Sequence, residues 1–316
     1  MAHLVKIHDY VSRYEKNLYH YQSQFIRLKK KRREEKLAAE DHEHFIEEET
    51  AVKQLPEQNK KRLFNRWFNK PKQKQNLIEE EKKEPSFPLY KVKTAREKIE
   101  EYREELFSFQ LKWASSTVNE LSELDPSILD HKLLRYLAEE VPDNYFVFYK
   151  PVIHYISAPV ELEIIVVGPA DVWLTVWLDQ EGIWKEESKR FWQNSELAGK
   201  RYISPHIAMQ RMEQAVSQLM LPFAGQLSLK KAVIAKDAFI DEDDDWRRTM
   251  YIDKRLFPGW LESIKREPAP VKSQQLKFVS ELLSHCVTNS LYRRGEQLSE
   301  SGDEEEKEGF FADPVE

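Results

Sequence analysis

Apolar residues near the amino end recur at alternating steps of four and three: Ile7, Val11, Tyr14, Leu18, Tyr21, Phe25 and Leu28. That spacing predicts a helix over residues 1 to about 50 carrying a heptad seam. The seam stops where the run KKKRREEK begins, and it spans only about three heptads, near the minimum for a free-standing coiled coil. Tyrosine is also a poor seam residue. The stripe therefore fits docking on the protein's own body, docking on a partner helix, or self-association.

A second helical stripe starts at Thr94, with Ile99, Tyr102, Leu106, Phe109 and Trp113 on one side. Thr94 and Glu97 have the spacing of a capping box at its start. Beyond it the pattern becomes mixed. Asp125-Pro126 opens a helix over SILDHKLLRYLAEEV that Pro142 stops, and NYFVFYKPVIHYI has the aromatic and β-branched composition of a strand. A loop containing Trp184 and Trp192 precedes a helix over SPHIAMQRMEQAVSQLML. The strand KKAVIAKDAFI follows, then an acidic loop and a short strand near Met250 to Ile252. Two helices, Leu256 to Lys265 and Ser273 to Ser284, complete the order. Helix, three strands, helix, strand and further helices describe an α/β domain.

The densest apolar stretch is VELEIIVVGPADVWLTVWLDQ, Val160 to Gln180. It predicts two strands around a turn at Gly168-Pro169. In that register Val167 opposes Val172, Glu163 opposes Val176 and Glu161 opposes Leu178, because cross-strand neighbours share a constant index sum. One face shows Glu161, Glu163, Ile165 and Val167 beside Val172, Leu174, Val176 and Leu178. The other shows Leu162, Ile164 and Val166 beside Trp173, Thr175 and Trp177. Both faces are apolar, which predicts a sheet covered on both sides.

Charge changes this picture at two places. The formal net charge is −6, yet residues 296–316 hold nine acids and one lysine, so the rest of the chain is near +2. No global field for nucleic acid follows from that. Asn59 to Gln75 is different, with seven basic residues, no acid, and Leu63, Phe64, Trp67 and Phe68 at helical spacing. Lys60, Lys61, Arg62, Arg66, Trp67 and Lys70 form a candidate basic patch for phosphates or an anionic membrane surface. Packing of its aromatics within the protein is the competing reading. The run to Pro88 reads as a linker, and the tail from Gly295 has the composition of disorder.

Cys286 is the single cysteine, which excludes a disulfide framework and a thiolate metal cluster, and it reads as a packed thiol. Secretory-signal and membrane-span patterns are both lacking, which predicts a soluble protein of a reducing compartment, cytoplasmic in location. Asp241 to Asp245 lacks the glycine turn and terminal glutamate of a calcium loop. His131, His154, His206 and His285 fall at no metal-ligand spacing.

The segments PDNYFVFYKPVI, ELEIIVVGPADVWLTVW, SPHIAMQRMEQAVSQLM and KKAVIAKDAFI, in this order, resemble the NERD (nuclease-related) domain. The resemblance covers roughly residues 126–240. It implies a bacterial protein with a restriction-endonuclease-like central sheet flanked by helices, here preceded by a long charged helical arm. It also implies an acid on the first hairpin strand and a Glu-x-Lys on the second, which together hold Mg²⁺ and position the attacking water. The first acid falls on Glu163, with Glu161 beside it, and an upstream helical acid falls near Asp130. The Glu and Lys of the second strand fall on Val176 and Leu178. A glutamine three residues after the helix-starting proline falls on Ala208.

The expected organisation is a helical arm with basic linker over 1–93, a NERD-like α/β domain over 94–290, and an acidic tail over 291–316. The expected function is a non-catalytic interaction or scaffold protein without a cofactor. Asp130, Glu161 and Glu163 would be remnants of the site, and the amino-terminal helix would engage a protein partner or a second copy. Two alternatives stay open: a divergent Mg²⁺-dependent DNA nuclease, and a nucleic-acid or membrane-surface binder using the segment 59–75.

Overall fold

The computed structural model describes residues 1–53, 94–129, 131–156, 158–197, 199–241, 249–266 and 269–292. Asp130, the basic segment 59–75, residues 242–245 of the acidic loop and the tail from 293 lie outside them. The chain divides into two compact units, residues 1–27 with 103–316, and residues 28–102.

The chain opens with a strand, β1 (His3–Ile7), and only then enters a helix, α1 (Arg13–Lys53). This corrects the reading of one helix from the start: Ile7 ends a strand. All five β1 side chains are buried, which a one-sided helical stripe would not require. Asn17 has non-helical backbone angles inside α1, and its side-chain oxygen accepts from the His20 amide, so it caps the longer part of the helix. The second helix, α2 (Ala95–Trp113), starts at the predicted capping box. There the Thr94 amide donates to Glu97 at 2.7 Å and the Glu97 amide donates to the Thr94 hydroxyl at 3.2 Å. In residues 28–102, the Tyr102 hydroxyl donates to the Lys29 carbonyl and Lys36 lies 3.8 Å from Glu101.

The seam residues are consumed inside the larger unit. Val11, Tyr14, Leu18 and Phe25 are buried, and the Trp113 ring stands edge-on to Tyr14, Tyr21 and Phe25 at 6.3, 5.4 and 6.1 Å. Burying a large apolar side chain contributes about 1.5–3 kcal/mol relative to leaving it exposed, so this stripe holds α1 to the domain.

After α2 come a two-residue strand β2 (Glu120–Leu121), α3 (Pro126–Leu129) and α4 (Lys132–Glu140). The predicted single helix over this stretch is therefore two, with His131 at the N-cap position of the second. The strands β3 (Phe146–Tyr149), β4 (Val152–Tyr155), β5 (Ala158–Glu161), β6 (Ile164–Val167) and β7 (Asp171–Trp177) follow. The expected loop around Trp184 and Trp192 is instead three strands: β8 (Gly182–Ser188), β9 (Phe191–Asn194) and β10 (Arg201–Ile203). Both tryptophans are buried there. The helix α5 (Pro205–Met220) leads to β11 (Ser228–Ile234) and β12 (Ala238–Asp241), so the expected single strand is split. β13 (Thr249–Ile252), α6 (Phe257–Lys265), α7 (Ser273–Ser284) and β14 (Leu291–Tyr292) complete the order.

The fold is mixed α/β, with a six-stranded sheet ordered β1-β3-β6-β7-β11-β13. β1 and β3 run parallel, as do β7, β11 and β13, while β6 runs antiparallel to both neighbours. Five strands therefore share one direction. A second sheet, β10-β9-β8-β12, packs Trp184, Trp192 and Ile240 into the same core as one face of the first.

The β6–β7 hairpin has the predicted register, Val167 opposite Val172 and Ile165 opposite Leu174. Both of its faces are covered. Ile165, Val167, Val172, Leu174 and Val176 belong to the cluster with α1, α5 and α7, and Ile164, Val166 and Trp173 to the cluster with α4 and α6. The expected strand across Val160 to Val167 is broken, however, at Leu162–Glu163. Glu161 lies on β5 opposite Val152 rather than Leu178, and Leu162 turns into the cluster expected for the other face. Its amide donates to the Pro151 carbonyl, which makes β4–β5 a separate ribbon.

Candidate functional site

Because five strands of the main sheet are parallel, their carboxyl ends converge on one edge. β1 ends there at Ile7, β3 at Tyr149, β7 at Trp177 and β11 at Ile234, and antiparallel β6 starts there just after Glu163. Open α/β sheets place ligands outside the carboxyl ends of their strands. The helices feeding and leaving these strands bring their amino ends to the same edge, α4 with His131 and α5 with Ser204.

Ionisable side chains collect here. His8 and Lys150 are the residues directly after β1 and β3, and both take left-handed backbone angles, φ 43° and 46°. Such angles are uncommon outside glycine and persist only where the surroundings over-determine them. Here the His8 amide donates to the Tyr149 carbonyl, and its own carbonyl accepts from the Val152 amide. Continuing the β3–β6 register past Phe148 opposite Ile165 sets Lys150 opposite Glu163. The Tyr149 hydroxyl is hydrogen-bonded to the His131 ring at 3.1 Å, and the His8 ring stands edge-on to Tyr149 at 6.0 Å.

Three groups at this edge are shifted from their ordinary pKa ranges. Burial raises the Glu163 carboxyl above its ordinary range. Glu161 and Asp179 push it further up, and Lys150 and Arg211 pull it down. Burial lowers His8, with Lys150 and His131 acting the same way and Glu161 and Asp9 opposing them. Burial also raises Tyr149, reinforced by Asp179 and Glu163, so its hydroxyl stays protonated.

Of the sequence candidates, Glu161 is exposed at the end of β5 and Glu163 is half-buried in the break before β6. They share this edge. Asp130 and Lys60, Lys61, Arg62, Arg66, Trp67 and Lys70 lie outside the described residues. Val176 is only 7% exposed and packs in the aliphatic cluster, with Leu178 half-buried against it. Ala208 also packs on that cluster.

Among the described residues, no three His, Cys, Asp or Glu side chains are grouped so as to hold a metal ion. Sequence reasoning missed His8, Tyr149, Lys150, Asp179 and Arg211. The first of these follows a strand read as helix, Tyr149 and Lys150 end and follow β3, Asp179 follows β7, and Arg211 lies on α5.

No family model matches the chain, and neither a curated protein nor a solved structure matches it. No described helix is long and apolar enough to cross a membrane.

Proposed function

We propose that this is a non-catalytic binding protein built on a nuclease-related, restriction-endonuclease-like α/β domain. The order helix, strands, hairpin, helix and strand from α4 to β11 supports that fold, with the β4–β5 ribbon and the second sheet as insertions. One observation carries the functional reading. Where hydrolysis would need a carboxylate and an ammonium on β7 and just beyond it, the chain has Val176 and Leu178 packed among aliphatic side chains. A hard cation needs oxygen ligands, and neither side chain has one.

The role we assign is that of a cytoplasmic scaffold that engages a protein partner. Because the seam from Val11 to Phe25 is spent inside the fold, contact through α1 falls to exposed positions such as Tyr19 and Ile26. Titration with Mg²⁺ and Mn²⁺ by calorimetry, followed by plasmid-cleavage assays, tests the reading. Neither saturable metal binding nor cutting is expected. Metal-dependent cutting that Glu163→Ala abolishes would overturn it.

A second reading, a divergent Mg²⁺-dependent nuclease, draws on the gathering of Glu161, Glu163 and Asp179 with Lys150 at one edge. The same assay decides between the two.

A further inference from the structure

Two open cavities lie between α1 and α7, both inside the larger unit. One, of about 510 Å³, is lined by Tyr14 and Tyr19 of α1, by Ser280, Leu283 and Ser284 of α7, and by Cys286. The other, of about 660 Å³, is lined by Gln22 and Ile26 of α1, by Leu276 of α7, and by Pro142, Pro270 and Val271. Advancing along α1 from Tyr14 to Ile26 thus matches retreating along α7 from Ser284 to Leu276. The two helices run antiparallel here, and the cavities are successive parts of one groove between them.

The α1 wall of that groove is apolar and uncovered. Tyr19 and Ile26 are 51% and 37% exposed, while their neighbours Leu18 and Phe25 are in the core. Tyr19, Gln22 and Ile26 are three and four residues apart, so they form one stripe on the helix. Single exposed apolar residues are ordinary on a protein surface. Two on one stripe, each opening onto a cavity, leave room for another apolar group to bury beside them.

The chain carries such a group beyond its last described strand. β14 ends at Tyr292, whose register partner on β2 is Glu120. The Glu120 carboxylate is 2.9 Å from the Lys16 ammonium, and Lys16 and Thr288 both line the smaller cavity. The described chain therefore ends at the mouth of the groove. In residues 293–316 the largest apolar side chains are Phe310 and Phe311. Phe310 is 18 residues past Tyr292, a reach of up to about 60 Å at ~3.3 Å per residue. The groove from Tyr14 to Ile26 is only about 18 Å long at ~1.5 Å per residue. Tethering also raises the effective concentration of the pair, to the order of mM.

Charge favours the same match. Residues 296–316 hold nine acids and one lysine, and Lys16, Lys272 and Lys277 stand exposed along the two helices. Glu15, the one acid of α1 lining the groove, is already paired with Lys6.

We propose that Phe310 and Phe311 seat in the groove between α1 and α7 of their own chain, over Tyr19 and Ile26, with the preceding acids toward the lysines. The segment is then a strap across this face, and a protein partner using Tyr19 and Ile26 must first displace it. This goes beyond the proposed function and does not depend on it.

The test is fluorescence anisotropy with a labelled peptide of residues 303–316 titrated with the full chain. In the parent the chain's own segment competes for the groove, whereas Phe310→Ala combined with Phe311→Ala leaves the groove open. The peptide is expected to bind this double variant at least about tenfold more tightly than the parent. Adding Ile26→Asp or Tyr19→Ala to the double variant is expected to weaken binding about tenfold. Two groove substitutions are used so that one whose melting temperature is unchanged reports on binding alone. Equal affinity for parent and double variant, no binding to the double variant, or binding indifferent to both groove substitutions overturns the proposal. A parent dimer that the double variant loses would place the segment in a second copy and overturn it equally. Metal-dependent DNA cutting, which would overturn the proposed function, leaves this result unaffected.

Discussion

Lys6, with no exposed side-chain surface, forms an ion pair with Glu15, linking the edge strand β1 to the first turn of α1. The Lys6 ammonium also donates to the Tyr10 carbonyl at 2.6 Å and to the Thr288 hydroxyl at 3.1 Å. Three acceptors from three chain segments use all three of its protons, so the charge is buried but fully satisfied. Removing Glu15 strands an enclosed cation, whereas removing Lys6 leaves a carboxylate that can still reach water. Glu15→Ala is therefore expected to cost about 3–5 kcal/mol in urea unfolding. Lys6→Met should cost clearly less. Equal losses would mean that the pair is not enclosed in solution.

The legibility of this fold followed the length and regularity of its apolar patterns. The β6–β7 hairpin was readable because Gly168-Pro169 fixes the turn and the register then follows from counting. α7 and the capping box at Thr94 carry equally local signals. β1 was not readable: His3 and Lys6 are polar residues in a fully buried strand, and Ile7 happens to continue the spacing of α1. The second sheet was hidden because β8 and β9 each carry a single tryptophan among mostly polar residues. At the candidate site the sequence pointed to Glu161 and Glu163, but Lys150 faces Glu163 only once the β3–β6 register is known, and Arg211 comes from a helix further along the chain. No local pattern reveals a left-handed residue at the end of a strand.

Gly168 owes its place to contact rather than to backbone freedom. A Cβ there would meet the Tyr145 ring at 2.5 Å, and that ring is buried under the hairpin turn. Gly168→Ala is expected to destabilise the protein by about 1–3 kcal/mol, the range for overpacking. Combining it with Tyr145→Leu should recover part of the loss. Thermal unfolding of the two single variants and the double variant measures the coupling, and strict additivity would remove the steric explanation.

Ser204 precedes α5 and is almost wholly buried, yet its hydroxyl makes no capping bond and has no partner among the described residues. An N-cap serine replaced by alanine ordinarily costs about 0.5–2 kcal/mol. Here the sign should reverse. Ser204→Ala deletes an unsatisfied buried polar group and is expected to be neutral or stabilising by up to about 1 kcal/mol. A loss of the ordinary size would show that an ordered water or an altered rotamer completes the cap.

Glu163 makes stability depend on pH in the direction opposite to a salt-bridged acid. Its folded-state pKa is raised, first by burial and then by Glu161 and Asp179, so the folded protein holds the proton more tightly than the unfolded chain does. Below the unfolded value of about 4.3 both states are protonated and the group contributes no difference. As pH rises past it, the unfolded chain ionises first, and the folded state loses relative stability until the raised pKa is passed. Glu163→Gln removes this penalty. The variant should match the parent near pH 4 and be more stable at pH 7. Urea midpoints across that range measure the difference, and a parent more stable than the variant at pH 7 would mean that Lys150 and Arg211 outweigh burial at this carboxyl.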